Sequence, residues 1–265
     1  MLLNAETGKH PAFWWSIYTL LSLRIPLLSS KVLLVPYSTW HVPRYHEWMQ
    51  DEEIQQATAS EPLSVDEEYA MQQSWRQDAD KLTFIICQQI SSPEPASAPV
   101  LTTESDSPQN MVGDINLFLR VDDGDEGDSP PQIVGEIELM IAEKSNQRRG
   151  FGKAALLVFM RYIIEHQSEV LEEFVSRGVD DVESVRKLRE AGPLAFECFS
   201  VKIGQNNLRS LALFDGLGFD RLSPEPNFFG EFELRRTELG VQRVVGELGV
   251  AGVEGYGKAV YTRRE

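Results

Sequence analysis

The residues whose types and spacing suggest chemistry lie between Glu136 and Lys153. Gln147-Arg148-Arg149-Gly150-Phe151-Gly152-Lys153 sets two glycines one residue apart among three cations. If this stretch opens a helix, its backbone N–H groups point outward with no partner, the macrodipole favours negative charge, and the absent Cβ atoms allow close approach. Together these make a phosphate site. Just upstream, Glu136 and Glu138 alternate with Ile137 and Leu139, so a strand would carry both carboxylates on one face, beside whatever the loop holds.

Several readings of the loop compete. A Walker loop needs Lys followed by Ser or Thr directly after its last glycine, and Lys153-Ala154 lacks the hydroxyl. A dinucleotide fingerprint can be spelled Gly150-x-Gly152-x-x-Ala155, but Ala142 to Arg149 separate it from the strand, and no second strand ending in an acid follows. A third spelling is Q-x-x-G-x-G after a strand. The bland alternative is a basic helix start with a glycine turn and no ligand.

The elements that must position these residues follow from periodicity. Gly135 to Ile141 reads as a strand, and the Ala- and Leu-rich run Lys153 to Met160 as a helix. Upstream, Val32 to Tyr37 reads as a first strand, and Pro43–Gln50 and Asp66–Asp80 as helices, the second opened by a Ser64-x-x-Glu67 capping box. Lys81 to Gln89 and Val112 to Val121 read as strands, the latter with Asp114, Asn116 and Phe118 on one face. Between them Gln88 to Gln109 is a polar Ser/Pro-rich linker, and Asp122 to Asp128 an acidic, solvated turn. Glu165 to Ala191 reads as a solvated helical excursion. Phe196–Ile203 (strand), Asn207–Leu217 (helix closed by Gly218) and Asn227–Leu234 (strand) complete the pattern, and the order of Gly240–Gly257 is left open. Strand–helix alternation from Ile133 to Gly218 predicts an α/β domain with one mixed sheet.

Composition bounds the function. A formal net charge of −16 argues against a nucleic-acid partner. Cys87 and Cys198 sit in apolar runs and read as buried thiols, with a disulfide left open. His10, His41, His46 and His166 form no ligand-spaced cluster, so no metal is expected. Ala12 to Leu28 is apolar but broken by Arg24 and Pro26, short of the ~20 unbroken residues of a membrane span. It is read as an appendage outside the fold, with a signal peptide as the competing reading and no membrane role expected. The expected organisation is an appendage over 1–30, a domain over 31–236 with insertions at 88–110, 121–131 and 165–192, and a C-terminal extension over 237–265.

VLLVPY at Val32–Tyr37, YHEWM at Tyr45–Met49, TASEPL at Thr58–Leu63, GDINLFL at Gly113–Leu119, GEIELMIAE at Gly135–Glu143, KIGQNN at Lys202–Asn207 and LFDGLGF at Leu213–Phe219 together resemble the N-acetyltransferase nine-like branch of the GNAT acetyltransferases. The resemblance covers most of Lys31 to Arg236. It implies the acyl-CoA N-acyltransferase fold, a mixed and mostly antiparallel sheet with a splayed strand pair. It implies a cytoplasmic enzyme using acetyl-CoA, without a metal, to acetylate a protein or peptide N-terminus, with tubulin chains the proposed substrates.

By the same resemblance, the pantetheine arm would pair with Leu139, Met140 and Ile141. The diphosphate would lie on Gln147, Arg148, Arg149, Gly150, Phe151, Gly152 and Lys153. Asn207 and Ser210 match an N-x-x-S pattern in which the Asn helps hold the cofactor. Glu136 stands where some relatives carry their base, so it ranks first as catalytic base and Glu138 second. A backbone N–H near Leu139 is the expected oxyanion donor. Glu61, Asp114 and Asn116 are the expected substrate-binding residues. One departure stands out: relatives place a Tyr four residues after the Ser to protonate the leaving thiolate, and this chain has Phe214. That keeps a second reading open, a catalytically weak CoA-binding module associated with microtubules.

Overall fold

A computed structural model describes residues 25–89, 100–123 and 130–261. The chain opens with β1 (Leu27–Leu28) and β2 (Val32–Pro36), then α1 (Val42–Met49), α2 (Glu52–Thr58) and α3 (Val65–Gln77). β3 (Lys81–Gln88), a short β4 (Val100–Leu101), β5 (Met111–Asp122) and β6 (Gln132–Ile141) follow. α4 (Phe151–Glu165), α5 (Gln167–Arg177) and α6 (Val182–Glu190) lead to β7 (Phe196–Gly204) and α7 (Leu208–Asp215). β8 (Asp220–Arg221), β9 (Glu231–Arg236), α8 (Val241–Val250), β10 (Gly257–Lys258) and β11 (Val260–Tyr261) close the chain.

Nine strands form one sheet in the order β10-β1-β2-β3-β5-β6-β7-β9-β8. Every neighbouring pair is antiparallel except β6 and β7, which run parallel. Their pairing runs from Ile133 opposite Phe196 to Glu136 opposite Ser200 and stops there, although β6 continues to Ile141 and β7 to Gly204. The parallel pair is therefore splayed, as expected from the resemblance.

Strand alternation sorts the sheet into two faces. Leu34, Phe84, Ile86, Ile115, Leu117 and Ile137 form one core with α4. Leu33, Val35, Ile85, Cys87 and Met111 form the other with Tyr45, Trp48 and Met49 of α1. α4 is apolar almost all round and buries ten of its 15 residues, which requires cover on both sides. The sheet covers one side. Val170, Leu171, Phe174 and Val175 of α5 and Val244 and Leu248 of α8 join the same cluster. Fully burying each such side chain contributes roughly 1.5–3 kcal/mol.

This packing changes three expectations. The stretch from Glu165 to Ala191 is not a solvated excursion: one face of α5 is buried in the main core, because α4 has apolar surface left to cover. Gly240–Gly257 is ordered as α8 and packs on α4 for the same reason. A fold boundary at Lys31 would cut the sheet, since Leu27 and Leu28 pair with Leu34 and Leu33 on one side and with Lys258 and Gly257 on the other. Residues 1–24, which include most of the apolar run, lie outside the described residues.

The supposed linker is also partly built in. His41 Nε2 lies 2.9 Å from Asp106 Oδ2, which also accepts from Trp40 Nε1 at 2.7 Å, and both His41 and Asp106 are buried. The last strand starts at Glu231 rather than Asn227, because Asn227 Oδ1 accepts from the N–H groups of Phe229 and Glu231 and closes a turn. Cys87 and Cys198 are free and buried, which removes the disulfide reading. The Ser64–Glu67 capping box forms as predicted. Among the described residues no helix is long and apolar enough to cross a membrane. Part of the acidic turn, 124–129, lies outside the described residues.

Candidate active site

Ala142 N–H donates to Val112 O at 3.0 Å across the β5–β6 pair. Antiparallel alternation then turns the backbone of Met140 and Glu138 toward β5 and that of Leu139 and Ile141 toward β7. β7 has diverged by that point, so this edge of β6 has no strand partner. Gln147 Nε2 donates to Ile141 O at 3.2 Å, which leaves Leu139 as the open backbone position.

The chain then turns into α4 through Arg148 (φ 60°) and Gly150 (φ 83°), both left-handed. Ala154 N–H is bonded to Gly150 O, and helix geometry leaves the N–H groups of Phe151, Gly152 and Lys153 without an intrahelical partner. A Cβ added to Gly152 would make only ordinary contacts, at 3.6 Å, with Ile141 and Leu139. The protein's own packing does not require a glycine there, whereas an anion resting on the N–H groups would.

The open strand edge and the free helix start share a cavity of about 650 Å³. Leu139, Met140, Ile141, Gln147, Arg148, Gly150, Phe151, Gly152, Lys153, Asn207 and Ser210 all line it. Arg149 does not: it stacks on Phe151 at 4.9 Å and donates to Asn146. Asn207 Oδ1 accepts from Ser210 N–H at 3.2 Å and so caps α7.

Sequence reasoning missed Lys144 and Arg209, which also line the cavity. Arg209 donates to Gln147 at 3.2 Å. A signal for it existed: a cation in the first turn of a helix opposes the macrodipole unless an anion is nearby. Arg148, Lys153, Lys144 and Arg209 outnumber Asp51 and Glu53 in the lining, Lys144 being paired with Glu53 at 2.7 Å, in a chain of net charge −16. The donor set therefore fits a polyanionic ligand whose amide-bearing arm lies along β6.

The two strand acids differ. Glu136 is held by Lys202 Nζ at 2.9 Å, with Arg120 Nε at 4.0 Å. Glu138 has no such cation in contact among the described residues. Lost hydration lifts its carboxyl above the usual carboxylate range, the Glu136 charge adds to this, and Lys202 opposes it. Asn116 lies opposite Glu138 in register and donates to Asp114 at 2.8 Å, and both residues are buried. Glu61 is exposed on the loop after α2, away from the cavity. Phe214 is buried edge-on against Phe219, with centroids 5.0 Å apart.

Residues 31–220 match the family model described as an acetyltransferase (GNAT) domain. The chain belongs to the GNAT acetyltransferase family. Among its relatives it is 40% identical over 212 residues to the human alpha/beta-tubulin-N-acetyltransferase 9, covering 80% of this chain and 82% of that one. It is 37% identical over 226 residues to an N-acetyltransferase 9-like protein of Schizosaccharomyces pombe, covering 78% and 94%. A crystal structure of an uncharacterized protein from Bacillus halodurans shares the fold with TM-score 0.52 at 10% identity, over 86% of this chain and 98% of that one. This GNAT chain is an acetyltransferase.

Proposed function

We propose that the enzyme transfers an acetyl group from acetyl-CoA to the α-amino group at a protein N-terminus, with tubulin chains the first substrates to test, and that it acts in the cytoplasm. The observation that carries this reading is the meeting, in one cavity, of an unpaired strand edge and an unfilled helix start, one residue along β6 from Glu138, whose carboxyl has no cation in contact among the described residues. When bound, acetyl-CoA supplies an activated acyl carbonyl. The N–H groups of Phe151, Gly152 and Lys153, helped by Arg148 and Arg209, hold its diphosphate, and the open backbone of Leu139 receives its amide arm. Arg149 is left with a role in stacking on Phe151.

An α-amino group has a pKa of about 7.7–8.0 and is partly protonated at neutral pH, so a proton must leave before attack. Glu138 suits that task better than Glu136. Its raised pKa makes it a stronger base than an ordinary carboxylate, while Glu136 is engaged in an ion pair with Lys202. Glu136 in turn helps raise the pKa of Glu138. The N–H of Leu139, turned toward the cavity, can stabilise charge developing on the acyl oxygen. Phe214 offers no proton to the departing thiolate, which takes one from solvent.

The test is intact-mass monitoring of peptides incubated with enzyme and acetyl-CoA, tubulin N-terminal sequences included, with Glu138→Gln and Glu136→Gln beside wild type. Glu138→Gln should lose more turnover than Glu136→Gln. The buried Phe at position 214 favours one second reading, a CoA-binding module without turnover. CoA binding with no acetylation of any peptide would establish it.

A further inference from the structure

On the face that carries Glu138, β5 sets Asp114 opposite Met140 and Asn116 opposite Glu138, while β3 sets Thr83 opposite Asn116. Directly opposed residues share a face, so these side chains form one polar patch next to the open end of β6. Asp114 is 3% exposed and Asn116 4%. The Asn116 amide spends one N–H on Asp114 Oδ2. Asp114 Oδ1, Asn116 Oδ1, Thr83 Oγ1, Tyr37 Oη and Glu68 Oε2 are buried with no hydrogen-bond partner among the described residues.

Buried polar groups are almost always paired, so a cluster of orphans on one side of a candidate active site calls for a ligand. These orphans are carboxylate, amide and hydroxyl oxygens, all able to accept. The matching ligand is small, cationic and rich in donors. A primary ammonium, with three N–H groups and one charge, meets that description, and it is the form in which the acceptor of the proposed reaction arrives.

We propose that Asp114, oriented by Asn116, seats the acceptor's primary ammonium through Oδ1 before Glu138 takes a proton from it. That transfer converts ammonium and carboxylate to neutral amine and carboxylic acid, and the freed nitrogen lone pair then faces the acyl carbonyl. The inference rests on the acetyl-transfer reading and adds to it the group that recognises the amine. The titratable groups facing Asp114 are Glu138 on β6, Tyr37 after β2 and Tyr45 on α1; Glu68 on α3 faces the two tyrosines in turn, with His46 of α1 at 3.8 Å from it. None of these is a cation in contact with Asp114, so the seat is unfilled from within. Burial lifts the Asp114 carboxyl to about 7, with the Asn116 hydrogen bond opposing and the Glu138 charge adding. The seat therefore acquires its charge over the range in which an α-amine still keeps its proton.

The test compares an acceptor peptide with its deamino analogue, in which hydrogen replaces the α-amine, for binding to the CoA-loaded enzyme across pH. Affinity for the amine peptide should rise as pH climbs through about 7 and fall again above about 8, where the amine itself deprotonates. The deamino peptide should show neither limb. Asp114→Asn should abolish the rise and raise the acceptor KM about 10- to 150-fold, the span expected for one hydrogen bond to a charged group. The KM for acetyl-CoA should stay at the wild-type value, and the Tm should not fall below wild type, since Asn removes the cost of ionising a buried carboxyl. An unchanged acceptor KM, a fall in Tm without a KM change, or identical pH profiles for the two peptides would overturn the assignment. If Asp114→Asn fails to fold, the comparison on wild-type enzyme decides alone. Wild-type enzyme that acetylates no peptide would overturn the acetyl-transfer reading itself, whereas turnover with an indifferent Asp114 overturns only this assignment.

Discussion

Replacing Gly152 with Ala should move stability and function in opposite directions. Gly152 is the second residue of α4, and its added Cβ would meet Ile141 and Leu139 at 3.6 Å, ordinary van der Waals contact. The fold therefore accepts the methyl group, and the unfolded chain loses conformational freedom. Gly→Ala at a compatible site stabilises by about 0.4–1 kcal/mol, which in a domain of this size raises Tm by about 1–4 °C. The same methyl group would stand between the diphosphate and the N–H groups that bind it. Losing one hydrogen bond to a charged group costs about 1.5–3 kcal/mol, or roughly 10- to 150-fold in affinity. Thermal unfolding with and without CoA, together with the KM for acetyl-CoA, reads both effects. Gly150→Ala is the control. There φ is +83°, so Ala should lower stability by about 1–2 kcal/mol through backbone strain. The reasoning is refuted if Gly152→Ala leaves the acetyl-CoA KM unchanged, or if it lowers Tm as the control does.

Glu138→Gln should cut kcat about 10²- to 10⁴-fold, the usual worth of a positioned base, with acetyl-CoA binding intact; a pH–rate profile that keeps its acid limb in this variant would point to another base. Leu248→Ala, which opens the packing between α8 and α4, should cost about 2–5 kcal/mol in urea unfolding although the residue is far from the cavity. Asp114 should give stability a pH slope: between its ordinary 3.8 and about 7 the folded chain holds a proton that the unfolded chain has released. Wild-type stability should therefore fall as pH rises through that window, and Asp114→Asn should flatten the curve. Exchanging Lys202 for Met should free Glu136 and remove the influence that lowers the pKa of Glu138; the apparent pKa on the acid limb of kcat should rise, and an unmoved limb would count against the Glu136–Glu138 coupling.

Much of this architecture could be read along the chain. β6 was legible because Ile137, Leu139 and Ile141 alternate with Glu136, Glu138 and Met140, and α4 because an apolar run rich in the strong helix formers Ala and Leu follows a glycine turn. The glycine loop was legible because its left-handed turn into α4 depends on local backbone geometry. Arg149 was misplaced because side-chain direction in a loop depends on partners, here Phe151 and Asn146. Charge-rich Glu165–Ala191 concealed a buried face, since its apolar residues are outnumbered by charged ones of both signs.

What the sequence determined by itself is everything that short-range rules encode: strand and helix periods, the Ser64–Glu67 cap, and the glycine turn that opens α4 after β6. Tertiary structure alone decided which acid is free. Glu136 and Glu138 are equivalent by spacing, but Lys202 reaches Glu136 from a neighbouring strand 66 residues away in sequence. It also decided that Leu27, Leu28 and the segment after Arg236 complete the sheet and cover α4. Burial, ion pairing and pKa are set by through-space neighbours, and a linear pattern names the residues without naming those neighbours.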